Sequence, residues 1–154
     1  MSYAPAQPVS AEPPLSQPLY GATFGQAIKR FFTKYATFSG RASRSEYWWW
    51  QLAYALISTV LYGVLMVLGF SGATFDSVTG DSQPGPLFGL GIALFAIWGL
   101  AVLVPNLALI WRRLHDTNRS GAFYFLALIP FVGGIILLVF TLLESDPAGA
   151  RFDA

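Results

Sequence analysis

The sequence predicts an all-α integral membrane protein: three transmembrane helices preceded by an interfacial amphipathic helix. Two observations carry this. Of the 154 residues, 55% are hydrophobic and only 11% charged, against about 25% charged in soluble domains, so the chain cannot cover a water-facing surface in the usual way. Three uncharged stretches also exceed the roughly 20 residues a helix needs to cross about 30 Å of hydrocarbon. An ordinary soluble single-domain enzyme is thereby disfavoured.

Residues 1–19 hold five prolines and one charge, Glu12, without sustained periodicity, and are expected to form a disordered Pro-rich tail. A basic n-region followed by an apolar h-region is missing, so the first spanning helix is expected to act as its own uncleaved targeting signal. Residues 20–46 read as an amphipathic helix and a basic linker. From Thr23 to Phe38 the residues Phe24, Ile28, Phe31, Phe32, Tyr35 and Phe38 share one face at 100° per residue, with Gln26, Lys29, Arg30 and Thr33 opposite. Such a helix suits the interface, its rings among acyl chains and its cations at headgroups. Thr23 and Gln26 have capping-box spacing.

The transmembrane domain is expected over residues 47–146, with a short tail at 147–154. The first span runs from Tyr47 to Phe70, begun by a Ser43/Glu46 capping box that sets Trp48, Trp49 and Trp50 at headgroup level as interfacial anchors. The second runs from Leu87 to Trp111, a fourth anchor, with Pro86 at its start and Pro105-Asn106 near its far end as a kink or a pore-lining position. Ala122 to Leu143 is expected to be the third span. Gly89, Gly91, Gly99, Gly133 and Gly134 suit close helix approach.

Orientation follows from lysine and arginine. The segment before the first span holds Lys29, Arg30, Lys34, Arg41 and Arg44, the loop after the second holds Arg112, Arg113 and Arg119, and Ser71 to Gly85 holds neither residue type. The N-terminus is therefore expected in the cytoplasm, and three crossings would leave the C-terminus outside.

Chemistry has little to draw on. With no cysteine and one histidine, no thiolate site, disulfide or bound cofactor is expected, and His115-Asp116 lacks the further histidines of a metal dyad. A net charge of +1 gives no basic stripe for a nucleic-acid partner. What stands out is a pair of polar motifs at one predicted membrane edge: Gly40-Arg41-Ala42-Ser43-Arg44-Ser45-Glu46-Tyr47-Trp48, and Arg112-Arg113-Leu114-His115-Asp116-Thr117-Asn118-Arg119-Ser120-Gly121. The arginines either set topology or hold anionic lipid headgroups through their planar forks, and Glu46 or Asp116 is expected to pair with an arginine of the other motif. Self-association or a membrane-protein partner is expected, because three helices bury little of their own surface.

These two motifs, with the Pro-bearing final helix, resemble those of the domain of unknown function 805 family of small bacterial inner-membrane proteins, over roughly Phe24 to Leu143. The resemblance implies a three-helix membrane protein and brings no catalytic residues. The family's Asn-Arg-aromatic-Gly ending is altered here, with Ala150 in place of Asn before Arg151 and Phe152. The expected function is non-enzymatic, through protein or anionic-lipid contacts; the alternative is a small transporter or channel subunit with a path lined by Asn106, Tyr54 and Tyr62.

Overall fold

The structure is a computed structural model, and it describes residues 12–153. Helix α1 (Phe24–Thr33) begins at the Thr23/Gln26 capping box, and α2 (Arg44–Phe70) at the Ser43/Glu46 box. In both boxes the cap side chain accepts from the third amide while the third side chain accepts from the cap amide, which satisfies donors the helix leaves open. A two-stranded antiparallel ribbon, β1 (Thr74–Phe75) and β2 (Ser82–Gln83), fills the loop before α3 (Phe88–Asp116). Helix α3 runs through Pro105 without ending.

At about 1.5 Å per residue, α2 and α3 are about 40 Å long, enough to cross the hydrocarbon. They are the two long apolar helices among the described residues. Their middles expose large aliphatic side chains, Val60 at 65% and Leu100 at 70%, as a lipid-facing surface requires.

The expected third span does not form. Gly121–Leu128 is a 3-10 arm, the chain turns at Pro130-Phe131, and α4 covers only Gly133–Leu142. Each arm reaches about 15 Å, half the hydrocarbon thickness. The physical reason lies at the turn. Pro130 has no amide to donate, Phe131 takes φ 64°, and the Val132 amide donates to the Pro130 carbonyl at 2.7 Å, so a continuous helix cannot pass. Composition made this stretch look like a span, but composition does not register a reversal. The two arms lie against each other, with Phe123 edge-on to Phe140 at 6.0 Å and the Leu126 carbonyl where a Gly133 side chain would stand.

The reversal also brings the C-terminal segment back to the second basic loop, which three full crossings would have set at opposite ends. A 3-10 helix at Pro147–Phe152 follows α4, and there the Phe152 ring stacks on His115 at 4.0 Å. The C-terminal segment, the end of α3 and the start of α2 are therefore at one end of the bundle. The apolar core, Phe31, Ala42, Tyr47, Trp50, Ala53, Val102 and Leu109, starts at that same end and reaches halfway along α3 at Val102.

The expected disordered tail falls mainly on residues 1–11, which lie outside the described residues. Residues 12–19 run beside α1, where Arg30 donates to the carbonyls of Pro13 and Gln17. The interfacial reading of α1 changes as well. Phe24, Phe32 and Tyr35 are exposed, but Phe31 and Arg30 are buried, and Phe31 stacks on Trp50 at 3.3 Å. One face of α1, the stripe of Ala27, Arg30, Phe31 and Lys34, is thus covered by protein, because α1 docks on α2 rather than lying alone on the bilayer.

Candidate functional site

The polar residues of both motifs converge on the end of the bundle just described. Glu46, placed by its own capping box, accepts from Ser43 N at 2.9 Å, Leu19 N at 3.0 Å and Arg30 Nε at 2.6 Å. One carboxylate thereby ties together α1, α2 and the segment before them. Such charge-assisted bonds are the strong class, and a buried carboxylate needs them to remain ionised.

Asp116 forms the second node. It accepts from Arg113 Nη1 at 2.5 Å, Ser145 Oγ at 2.5 Å and Tyr20 Oη at 3.2 Å, and Arg41 Nη1 stands 3.9 Å away. Arg113 uses its remaining donors on the carbonyls of Thr141, at 3.1 Å, and Leu143. A guanidinium thus satisfies carbonyls that α4 leaves open at its C-terminus, where a positive charge is also favoured by the helix dipole. This contact draws the returning hairpin back to the end it started from.

Arg41 holds Asp153 through two bonds, Nε to Oδ1 at 2.7 Å and Nη2 to Oδ2 at 2.6 Å, and that pairing raises the Arg41 pKa. His115 meets the Gly40 carbonyl through Nδ1 at 3.0 Å; a carbonyl only accepts, so Nδ1 carries the proton. Backbone bonds complete the junction: Ala42 N to Arg112 O at 3.1 Å, Gly40 N to Phe152 O at 2.7 Å and Asp146 N to Asp116 O at 2.8 Å.

Three buried cations, Arg30, Lys34 and Arg112, surround the Glu46 node. Arg112 donates from Nε to the Ala108 carbonyl at 3.0 Å, while its Nη2 has no partner among the described residues. Lys34 Nζ donates to the Arg41 carbonyl at 3.3 Å. Burial, and next the Arg112 charge, push the Lys34 pKa down to about 7.

Of the other sequence-selected residues, Arg44 is half-exposed, with Nη2 3.6 Å from Glu144. Arg119 lies over the Phe140 ring at 4.4 Å. Trp48 and Trp49 are exposed, whereas Trp50 is buried and donates from Nε1 to Asn106 Oδ1 at 2.6 Å. Trp111 is edge-on to Phe38 and Phe125. Asn106 lines a cavity of about 200 Å³ that also touches Gln51, Tyr54 and Tyr124; Pro105, buried beside it, and Tyr62 are not among the lining residues. Sequence reasoning passed over Arg30, Lys34, Tyr20, Ser145 and Asp153. The signal for Arg30 was its place 16 residues before a capping-box carboxylate, but a polar helix face reads equally well as solvated.

A family model described as "Protein of unknown function (DUF805)" matches residues 35–154. The match begins beyond α1 and includes the altered C-terminal segment, unlike the extent read from the motifs alone. Among relatives from Escherichia coli K12, the inner membrane protein YhaI is 35% identical over 118 residues, covering 77% of this chain and 84% of that protein. The inner membrane protein YhaH is 39% identical over 118 residues, covering 77% and 85%. No solved structure matches the chain.

Proposed function

The chain belongs to the DUF805 family of small bacterial inner-membrane proteins, and on that premise we propose that it is a non-enzymatic membrane component, acting through contacts at its cytoplasmic interface. The observation supporting this is how the charges are used. Glu46, Asp116 and Asp153 each hold an arginine of the same chain, so these groups act as a clamp rather than as an acid, base or nucleophile awaiting substrate. Arg41 and Arg113 serve that clamp, which leaves Arg44, Trp48 and Trp49 to meet lipid or a partner.

The positive-inside rule assigns the clamped end to the cytoplasm. In this reading both termini are cytoplasmic, two helices cross, and the Gly121–Leu142 hairpin enters and leaves on the cytoplasmic side. A C-terminal fluorescent-protein fusion should glow and a C-terminal phosphatase fusion should be silent; an active phosphatase would overturn the arrangement. Purification in mild detergent followed by native mass spectrometry tests the functional reading. Stoichiometric protein partners, further copies of the chain or retained lipid are expected, and a bare monomer would count against it. One feature favours a small transporter instead: Gln51, Tyr54, Asn106 and Tyr124 bring polar atoms to one cavity between helices. Uptake of a polar solute into vesicles holding only this chain would select that alternative.

A further inference from the structure

We infer that a polar cavity beside the start of α2, together with the apolar groove that adjoins it, holds one phospholipid with a zwitterionic ammonium-phosphate headgroup. The inference deepens the lipid-contact side of the function proposed above and rests on it. The cavity, about 470 Å³, is lined by Tyr20, Ser43, Arg44, Ser45, Glu144 and Ser145, and its volume falls within the roughly 300–1,000 Å³ usual for small-molecule sites. The groove, about 240 Å³, runs over Ser45, Trp48, Trp49 and Leu52. Ser45 lines both, so a polar chamber and an apolar groove along a spanning helix adjoin at that residue. A molecule filling both must have a polar head and an apolar tail.

The lining charges select the head. Arg44 brings one positive charge and Glu144 one negative, 3.6 Å apart and on the surface, a separation and exposure at which their mutual attraction is weak. Arg44 Nη1 reaches the Leu142 carbonyl at only 3.4 Å, so its fork is free to turn toward a phosphate.

The other wall accepts an ammonium. Tyr20 Oη and Ser145 Oγ both donate inward to Asp116, so they turn their oxygen lone pairs outward. Glu144 stands beside Ser145 and supplies the charge. A headgroup bearing only phosphate would satisfy Arg44 but leave Glu144 facing a like charge. A zwitterion satisfies both, and a primary ammonium, with three donors, suits the oxygen wall better than a methylated one. Trp48 and Trp49, at the headgroup level of a spanning helix, suit the glycerol and upper acyl region.

The test uses the full chain in nanodiscs of equal parts phosphatidylethanolamine and phosphatidylglycerol, released into mild detergent and read by native mass spectrometry. One phosphatidylethanolamine per chain should be retained about fivefold over phosphatidylglycerol, the preference that one exposed charge contact of about 1 kcal/mol confers. Glu144 is highly exposed, so Glu144→Lys should fold normally and reverse the preference toward phosphatidylglycerol. Trp48→Asp, which places a charge in the groove, should reduce retention of both lipids. Free glycerophosphoethanolamine in excess should not displace the lipid; displacement would make the site one for a soluble zwitterion. Equal retention of the two lipids with no response to Glu144→Lys overturns the inference. A protein partner co-purifying without lipid also overturns it, while leaving the proposed membrane component standing.

Discussion

The two ends of the bundle solve opposite problems. At the clamped end charged side chains are inside: Arg113 and Asp116 are 0% exposed, Arg30 2% and Glu46 3%. Toward the other end α2 and α3 carry their apolar side chains outside, with Val67 at 68% and Phe70 at 77%. The ribbon loop beyond them is held by local bonds, Asp76 accepting from Val78 N at 2.8 Å and Gly85 N donating to Gly69 O at 2.7 Å. A chain in lipid gains nothing from burying one more aliphatic group, because acyl chains are as apolar as leucine. It gains specificity where charges must find one another. The fold is therefore defined at its ionic end, and the far end follows from helix continuity.

Breaking the ionic end should have the largest effect. Glu46→Gln keeps the shape but removes the carboxylate that receives Arg30, Leu19 N and Ser43 N, and it leaves Arg30, Lys34 and Arg112 buried together without a buried counter-charge, the exposed Glu12 standing 3.6 Å from Arg30 Nη1. Loss of one partner of a buried pair is worth about 3–5 kcal/mol. Thermal unfolding in detergent, followed by tryptophan fluorescence through Trp50, should show a matching loss. A change no larger than that of an exposed substitution would mean the clamp does not define the fold.

Lys34 comes next, and it sharpens the comparison through pH. Its folded pKa of about 7 lies below the ordinary 10.5, so between those values the unfolded chain binds more protons and stability rises with pH. The penalty is fully present below about pH 7 and is relieved as pH climbs toward 10.5. Lys34→Met removes it. The variant should be more stable than the parent at pH 6, by about 2–4 kcal/mol, and the gap should close by pH 10. Urea titrations at several pH values check this, and a pH-independent gap would show that Lys34 is not penalised by burial.

The same contrast explains what the sequence could disclose. Helices α1 and α2 start where their capping boxes predict, and the family resemblance rested on motifs that the family match covers. The third span was misread because Ala122–Leu143 is uniformly apolar, and hydropathy reports that a stretch avoids water, not that it continues straight. Arg30 was placed at the headgroups because amphipathic periodicity separates two faces without saying which of them meets protein. The sequence predicts that Glu46 or Asp116 pairs with an arginine of the other motif; Arg41 stands 3.9 Å from Asp116, while Glu46 holds Arg30, outside both motifs. Sequence reasoning did not foresee Asp153, which lies 112 residues from the Arg41 it binds.

About two to three turns in from the ionic end a smaller effect is expected. Trp50 Nε1 donates to Asn106 Oδ1 at 2.6 Å, a single neutral hydrogen bond between spanning helices. Asn106→Leu should lower stability by about 0.6–1 kcal/mol, measured by the same fluorescence assay, well below the Glu46→Gln loss. An equal loss would mean that a neutral bond between the spanning helices specifies the fold as strongly as the ion pairs do.

The smallest effect belongs to the hairpin turn, and its sign is opposite. Phe131 holds φ 64° with its side chain 96% exposed, so it accepts the strain of the left-handed region without a compensating contact inside the protein. For a residue with a Cβ that region costs about 1–2 kcal/mol, and glycine avoids the cost while giving up about 0.5–1 kcal/mol of chain entropy. Phe131→Gly should therefore leave the hairpin in place and stabilise the fold by a few tenths to about 1 kcal/mol. Unfolding in detergent gives the sign, and cysteine accessibility at residue 129 or 132 reports whether the turn is kept. A clear destabilisation would show that the Phe131 ring anchors the turn against something outside this chain, and the apolar half of the molecule would then have a fixed point of its own.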